Sequence, residues 1–277
     1  MSQNRPIQSA AAATFSPSSF LDASQPNLSR VFNYLTGGSA YFEADRVVAE
    51  KMLVEFPPLK KLVQLSKAFT VEAVQHLHVV EGFRQFLDLG SGIPSGDMVH
   101  QLVPDAMFVY SDINPVAVSY GVHLLAGQER VAYVHGDARE IGALLAHKDV
   151  KQRLRFDERL AVGLNNIPMF LAETELRLLA KTLYDRLAAG SQISFFLQMR
   201  AAEAQSSKAD EAQMKLQRMG VPVRYVDVGK VCELFWPWKP KLVETAIRFM
   251  GLPADFLDDV AVQEAGLAHY ALFLVKE

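Results

Sequence analysis

Three aspartates stand where they could bind one ligand together. Asp88 lies in the segment Phe-Leu-Asp-Leu-Gly-Ser-Gly-Ile-Pro, Asp112 follows Tyr-Ser, and Asp137 follows His-Gly. Each comes at the end of a short apolar run that has the length of a buried strand. Because ligands of parallel sheets bind beyond the carboxyl ends of the strands, we expect the three carboxylates to line one site.

The glycines after Asp88 give the first of these segments its chemistry. Gly90 and Gly92 allow a tight turn, and the helix expected to follow presents free N–H groups and a positive dipole end. An acid in the loop would repel a pyrophosphate and suits a cationic ligand, such as an amino group beside a sulfonium. A tight turn that binds no ligand is the alternative interpretation.

The other two acids suit the sugar and base of a nucleoside. Asp112 lies 20 residues after Gly92, where an acid can accept hydrogen bonds from both ribose hydroxyls. Asp137 could accept the exocyclic amino group of an adenine. Each acid could instead cap the following helix, although Asn114, which precedes Pro115, is better placed than Asp112 for that role.

Short apolar strands that alternate with helices must position these acids. The alternation predicts an α/β fold in which a parallel sheet is covered by helices on both faces. Among the helices, we expect one at 115–126, one at 173–189 and one at 201–219. Seven strands are expected, at 85–89, 107–111, 130–135, 160–164, 192–197, 222–228 and 269–275.

The domain organisation follows from the same alternation. A length of 277 residues allows one large domain or two small ones, and the strand count favours one. We expect a disordered Ser/Ala/Pro-rich tail at 1–27, a helical cap at 28–80 and a sheet domain at 81–277. An insertion is expected around 230–266, with a helix near 241–249.

Composition excludes several classes of partner. Lys and Arg number 28 against 31 Asp and Glu, so the chain lacks the basic field that a nucleic-acid partner needs. The apolar runs fall short of the roughly 20 residues of a membrane-spanning helix. The one cysteine, Cys232, excludes an internal disulfide, and a reducing, cytoplasmic setting is expected. No metal site is expected, because the histidines lack ligand spacing.

The strand-end acids resemble those of class I S-adenosylmethionine-dependent methyltransferases. In that superfamily the Asp-x-Gly-x-Gly loop holds the methionine moiety, the acid after the second strand holds the ribose, and the acid after the third meets the adenine. The resemblance implies a Rossmann-like, mostly parallel seven-stranded sheet. It also implies that the last strand, at 269–275, is antiparallel.

A closer resemblance begins upstream of the sheet. The segments Arg30–Gly38 and Tyr41–Arg46 resemble the N-terminal signature of a bacterial family, the S-adenosyl methyltransferase family, formerly a domain of unknown function. Phe86–Pro94 and Tyr110–Pro115 match further motifs of that family, and the resemblance covers about residues 26–200.

The chain departs from the family pattern at a few positions. Ser39 and Tyr41 replace a Lys-Asn pair of the family signature. Pro168 stands where the family usually has a histidine, so a base assigned to that histidine is absent here.

The resemblance implies S-adenosyl-L-methionine as the cofactor and a small molecule as the methyl acceptor. The cap is expected to close over the cofactor as a lid, with Arg30 or Arg46 meeting a carboxylate; an ordinary amphipathic cap is the alternative. The predicted cofactor residues are Asp88, Gly90, Ser91, Gly92, Ile93, Asp112, Ile113, Asn114, Gly136, Asp137, Ala138, Asn165, Arg30, Tyr34 and Gly37.

Two other functions stay open at this point. An NAD(P)-dependent oxidoreductase also uses a glycine turn and an acid after the second strand, but it leaves Asp88 and Asp137 unexplained. A catalytically inactive S-adenosylmethionine-binding sensor or subunit is the other alternative, because no catalytic residue stands out. His135 and His269 are the histidines expected near the site.

The segment that contains both tryptophans has three interpretations. Trp236 and Trp238 could form a second wall of the substrate pocket, contact the partner in a homodimer, or fill the core beneath a loop.

Overall fold

A seven-stranded sheet carries the segments that contain the three acids. The computed structural model describes residues 22–94, 98–201, 208–218, 223–258 and 266–277. The strands are β1 (Gln85–Leu89), β2 (Met107–Asp112), β3 (Val131–His135), β4 (Ala161–Gly163), β5 (Gln192–Arg200), β6 (Lys239–Thr245) and β7 (Leu267–Val275).

The strand order confirms the predicted fold class. The order across the sheet is β3-β2-β1-β4-β5-β7-β6. The strands from β3 to β5 pair in parallel, whereas β7 pairs antiparallel with both β5 and β6. The order reverses between β1 and β4, so a crevice is expected beyond the carboxyl ends of these strands.

Helices precede the sheet and cover both its faces. A π-helical turn extends α3 over 76–80, and 3-10 turns lie at 99–102, 138–140 and 167–170. The α-helices are α1 (Leu28–Leu35), α2 (Glu43–Glu55), α3 (Leu59–Gln75), α4 (Pro115–Leu124), α5 (Ile141–Ala146), α6 (Lys148–Arg153), α7 (Glu173–Arg186), α8 (Lys208–Arg218), α9 (Val228–Leu234) and α10 (Ala246–Phe249).

Neighbouring side chains of β5 point to opposite faces and build two cores. Phe195 packs edge-on against Phe235 in the core under α5, α7 and α9. Phe196 contacts Phe69 of α3 in the core on the other face. Because both faces are covered, most of β5 is buried and its sequence is almost continuously apolar.

A third apolar cluster holds the cap together. Val31 of α1, Met52 of α2 and Leu62 of α3 pack in it with Leu216 of α8. Residues 22–27, which the sequence assigned to the tail, belong with the cap: Asn27 caps α1, and the carbonyls of Asp22 and Gln25 accept hydrogen bonds from the Arg30 guanidinium.

The predicted sixth strand was wrong. In the described part of 222–228, residues 223–227 have no regular structure and Val228 begins α9. The sixth strand is Lys239–Thr245, inside the expected insertion. This edge strand is mostly exposed and carries Pro240 beside a register shift, so it lacks the apolar run that marks a buried strand.

Two further details concern the helices. The helix predicted over 201–219 is observed as Lys208–Arg218, and residues 202–207 and 219 lie outside the described residues. Within the described residues, no helix is both long and apolar enough to span a bilayer.

Candidate functional site

Pairing of the first three strands brings the three acids to one edge of the sheet. Asp88 of β1 lies opposite Tyr110 of β2, and Asp112 at the end of β2 lies opposite His135, two residues before Asp137. The sheet therefore positions the acids side by side, as the sequence predicted from their strand ends.

The loop after β1 turns sharply at its two glycines. Gly90 and Gly92 have φ angles of 71° and 69°, which only glycine adopts readily. The N–H groups of Gly90 and Ser91 donate to the Ser111 carbonyl at 2.8 and 3.0 Å. A Cβ atom on Gly90 would overlap Ile167, whereas one on Gly92 would meet no atom of the described residues within 4 Å. The described part of the chain therefore leaves space beside the Gly92 backbone. Ile93 follows Gly92 and is partly buried.

Asp112 is held by the two loops that flank it. Its Oδ2 accepts the Gly92 N–H at 2.8 Å, and its Oδ1 accepts the Asn114 N–H at 2.7 Å. The pKa of Asp112 is raised overall because burial outweighs the lowering effects of these N–H groups and of His135. One lone pair on each oxygen is left for a further donor. The neighbouring Ile113 side chain is 50% exposed.

Asp137 caps a helical turn and forms an ion pair with Arg139, two residues later. The carboxylate accepts the backbone N–H and the guanidinium of Arg139, with an ion-pair distance of 2.6 Å. Burial acts to raise the pKa of Asp137, but the hydrogen bonds from Arg139 lower it overall. Gly136 donates to the Asp112 carbonyl at 3.0 Å, and Ala138 is partly exposed.

Asp88 points toward β4, where a glycine makes room for it. A Cβ atom on Gly163 would lie only 2.7 Å from Oδ1 of Asp88 and 3.7 Å from Nδ2 of Asn165. Burial raises the pKa of Asp88 to about 7; Ser91 opposes this rise and the charge of Asp112 adds to it. A cationic ligand beside Asp88 would restore the ionised form.

Two asparagines after β4 reach the third helix of the cap. Asn165 donates to Thr70 Oγ1 at 3.0 Å, and Asn166 donates to Ser66 Oγ, one turn earlier on α3. The side-chain oxygens of both asparagines are buried and have no hydrogen-bond partner among the described residues. The sequence predicted Asn165 as a cofactor residue but did not predict Asn166, Ser66 or Thr70 as site residues, since only the fold brings α3 to this segment.

The cap contacts the strand ends through Asn27, for which no sequence pattern predicted a role. The side chains of Asn27 and Asn114 donate to each other's oxygens at 3.3 and 3.0 Å. Asn114 also caps α4 through the Val116 N–H, as predicted. The start of α1 is therefore attached to the loop that holds Asp112.

The three predicted cofactor residues of the cap make their observed contacts within the cap. Arg30 forms a buried 2.6 Å ion pair with Asp45, and its guanidinium lies over the Phe42 ring. Tyr34 packs edge-on against Tyr41 and donates to a Glu50 oxygen at 3.4 Å.

Gly37 has φ 85° and follows the end of α1. A direct contact of Arg30, Tyr34 or Gly37 with a cofactor stays a prediction.

The tryptophans do not form a wall of this site. Trp238 is buried and donates to the Ala180 carbonyl of α7 at 3.0 Å. Its neighbour Lys239 lies opposite Val275, which pairs with the first residue of β5, Gln192. The segment thus lies at the opposite end of β5 from the acids. Trp238 fills the core, and Trp236 is 74% exposed.

The sheet order, the antiparallel β7 and the acids beside a glycine loop define the class I methyltransferase fold. A family model described as S-adenosyl methyltransferase matches residues 15–247. The chain belongs to this S-adenosyl methyltransferase family. Family membership favours a methyltransferase over the oxidoreductase alternative.

Solved structures agree with this assignment. A DUF574 family protein from Streptomyces avermitilis has a TM-score of 0.79 at 23% identity, covering 92% of this chain and 99% of that one. A candidate methyltransferase from Thermobifida fusca has a TM-score of 0.80 at 26% identity, covering 96% and 100%.

A more distant structure shares the fold alone. Geranyl diphosphate C-methyltransferase from Streptomyces coelicolor, in complex with Mg2+, geranyl-S-thiolodiphosphate and S-adenosyl-L-homocysteine, has a TM-score of 0.50 at 10% identity, covering 88% and 84%. No curated protein matches the chain.

Proposed function

We propose that the chain binds S-adenosyl-L-methionine beyond the carboxyl ends of β1, β2 and β3 and transfers its methyl group to a small molecule. The observation that carries the proposal is the Asp112 carboxylate. The Gly92 and Asn114 N–H groups fix its two oxygens and leave one lone pair on each, so it can accept both hydroxyls of a ribose.

The neighbouring residues fit the two ends of the cofactor. The Asp88 carboxylate and the Asn165 side chain lie together beside Gly163. The carboxylate and the Asn165 oxygen, which has no partner among the described residues, would accept the ammonium group of the methionine moiety. Half-exposed Ile113 would pack against the adenine, and Asp137 would accept its amino group while sharing its charge with Arg139. The open space at Gly92 admits the ligand to the backbone.

The bound cofactor supplies a methyl group on a positively charged sulfur. The chain contributes position and orientation, because holding the two reactants in line supplies a large part of an enzyme's rate enhancement. Met169 and Phe170, which follow the β4 asparagines, pack against the cap cluster. Since the cap covers this side of the site, water is kept from the reacting groups.

A covered site supports a small-molecule acceptor. Both asparagines after β4 are tied to α3, so the space beyond them is bounded by the cap. The net charge of −3 gives no attraction to a nucleic acid.

Titration calorimetry with S-adenosyl-L-methionine, S-adenosyl-L-homocysteine and NADH tests the binding step. We expect both adenosyl ligands to bind and NADH not to bind. Asp112→Asn should weaken the adenosyl ligands at least tenfold, because its amide cannot accept from all the donors that face it. Asp105→Asn, at an exposed acid just before β2, is the matched control and should bind normally. Unchanged affinity of the Asp112 variant would remove the ribose assignment.

Formation of S-adenosyl-L-homocysteine with panels of acceptors tests the second step. Turnover with small molecules but not with proteins or nucleic acids is the expected result. Turnover only with a macromolecule would overturn the acceptor class. Tight cofactor binding without turnover in any panel would instead favour the inactive sensor or subunit.

A further inference from the structure

Most of the unpaired buried polar atoms among the described residues belong to three side chains beside the carboxyl ends of β4 and β5. Among the described residues, five buried side-chain nitrogen or oxygen atoms have no hydrogen-bond partner. Four of them belong to Asn165, Asn166 and His269, at the carboxyl ends of β4 and β5. Because buried polar groups in proteins are almost always hydrogen-bonded, such a group of exceptions points to a bound partner.

Asn166 is held so that one side-chain atom stays open. Its φ angle is 61°, a left-handed conformation that asparagine tolerates better than most residues. Its backbone N–H donates to the Phe196 carbonyl at 3.3 Å, and its Nδ2 donates to Ser66 Oγ. Both donor groups are thus engaged, and Oδ1 is an acceptor that has no hydrogen-bond partner among the described residues.

His269 lies beside the same phenylalanine. It sits opposite Gln198 at the carboxyl end of β5, and its ring stacks on the Phe196 ring at 5.8 Å and 27°. The residue is 4% exposed, and burial lowers its pKa to about 4. The imidazole is therefore neutral near pH 7, with one N–H donor and one lone pair that the described residues leave unpaired.

We propose that Asn166 and His269 form the acceptor subsite and bind a small molecule through an uncharged hydroxyl or amino group. The inference rests on the function proposed above. Asn165 is left to the cofactor because it lies beside Asp88, whereas Asn166 and His269 share Phe196 as a neighbour.

The open atoms select the chemistry of the acceptor. An amide oxygen and the imidazole lone pair accept O–H or N–H groups, and the imidazole supplies one donor. Neither side chain carries a charge that could balance a carboxylate or a phosphate. The subsite therefore favours a neutral acceptor with a proton to give over an anionic one.

The subsite also provides a place for the proton. The acceptor oxygen or nitrogen forms a bond to the methyl carbon, and the carbon–sulfur bond breaks with its electron pair passing to sulfur. The proton that the acceptor loses passes to the lone-pair nitrogen of His269 and is released to water when the methylated product leaves.

Binding of simple probes to the full chain saturated with S-adenosyl-L-homocysteine tests the proposal. Phenol and aniline are neutral donors, benzoate is a matched anion, and toluene has the same shape without a polar group. We expect phenol or aniline to shift the His269 ring nitrogen signals in 15N NMR spectra. Benzoate and toluene should bind at least tenfold more weakly.

The variants separate the subsite from the cofactor site. His269→Phe and Asn166→Gly, which keeps the left-handed backbone available, should each weaken phenol or aniline binding at least tenfold. Their affinity for S-adenosyl-L-homocysteine should stay within twofold of the unmodified protein. His76→Phe, at a histidine that packs edge-on against Phe249 and Phe273, is the matched histidine control and should change neither affinity.

Several results would overturn the proposal. These are a wild-type His269 signal that neither phenol nor aniline moves, toluene or benzoate binding as tightly as phenol, or probe affinity that is the same in both variants. The wild-type spectrum decides the matter even if a variant does not fold. Failure of the wild-type protein to bind S-adenosyl-L-homocysteine would instead contradict the proposed function itself.

Discussion

The side chains of Asn27 and Asn114, 87 positions apart, donate hydrogen bonds to each other while each caps its own helix. Asn27 begins the cap, and Asn114 follows the acid that we assign to the ribose. The Asn27 N–H also donates to Asp45 at 2.8 Å, and Asp45 pairs with Arg30. One continuous set of polar contacts thus connects the interior of the cap to the candidate cofactor site.

A double-mutant cycle should measure this connection. Asn27→Ser and Asn114→Ser keep an oxygen that can cap each helix but remove the exchanged amide bonds. We expect each variant to lower the free energy of unfolding in urea by about 1 kcal/mol. The free energy of unfolding that the double variant loses should be smaller than the sum of the two single losses, by about 0.5–1.5 kcal/mol.

The matched control replaces the N-cap residue of a helix on the opposite face of the sheet. Asp227 caps α9 by accepting the Lys230 N–H at 2.7 Å. Asp227→Ser combined with Asn114→Ser should be additive. Additivity of the Asn27 and Asn114 variants as well would show that the cap is not coupled to the loop.

Two glycines offer a test of where the cofactor lies. Gly92 and Gly127 have φ angles of 69° and 82°, and a Cβ on either would meet no atom of the described residues within 4 Å. Gly92→Ala and Gly127→Ala should therefore each cost about 1–2 kcal/mol of stability through backbone strain. In calorimetry only Gly92→Ala should weaken S-adenosyl-L-homocysteine, at least tenfold, because its methyl group enters the ligand space. Equal affinities of the two variants would contradict this placement.

The raised pKa of Asp88, about 7, predicts how binding depends on pH. Below pH 7 the carboxyl group is neutral and attracts the ligand ammonium weakly. Affinity for S-adenosyl-L-homocysteine should therefore increase with pH, by at most about tenfold per unit, and level off above pH 7. Calorimetry between about pH 5.5 and pH 8 checks this trend. Asp88→Asn should bind weakly at every pH, and a parallel pH dependence in that variant would show that another group titrates.

The same raised pKa of Asp88 affects the ligand-free protein in the opposite direction. The stability that the neutral acid provides is complete below its unfolded pKa, near 4, and is lost as the pH rises toward 7. The free energy of unfolding should thus fall across that window, by at most about 1.4 kcal/mol per unit from this group. Urea unfolding of Asp88→Asn should show a smaller fall than the unmodified chain.

The buried ion pair of the cap predicts a large effect on stability. Arg30 and Asp45 are 2% and 0% exposed and lie 2.6 Å apart. Arg30→Met leaves a buried carboxylate without its partner, which should cost about 3–5 kcal/mol in urea unfolding. Arg46→Met is the control on the exposed pairs with Glu43 and Glu50 and should change stability little.

The same variants decide the role of Arg30. If Arg30→Met kept its stability and lost cofactor affinity, the arginine would be a cofactor ligand rather than part of the cap interior.

Local patterns were enough to predict most of the fold. The short apolar strands from β1 to β5 bury both faces, so their sequences differ clearly from the amphipathic helices between them. The edge strand β6 was missed for the same reason: it is mostly exposed, and its sequence Lys-Pro-Lys-Leu-Val-Glu-Thr resembles a loop. Its strand conformation depends on pairing with β7.

The candidate site divides in a similar way. The acids lie at or just after the carboxyl ends of strands, so Asp88, Asp112 and Asp137 could be placed at one edge from the strand pattern alone. The role of Arg30 could not be predicted in this way, because nothing in the local sequence indicates that the arginine is buried in an ion pair with Asp45.

The class of sheet, the family and the row of acids could be predicted from the amino-acid sequence, because each depends on residues close together in the chain. Which side chains meet across the cap depends instead on how the chain folds. Asn165 lies 95 positions from Thr70, and Asn166 lies 100 positions from Ser66. His269 stacks on Phe196, whose carbonyl accepts the Asn166 N–H, because β7 pairs antiparallel with β5. Contacts over such separations follow from how helices and strands pack, and no local pattern encodes them.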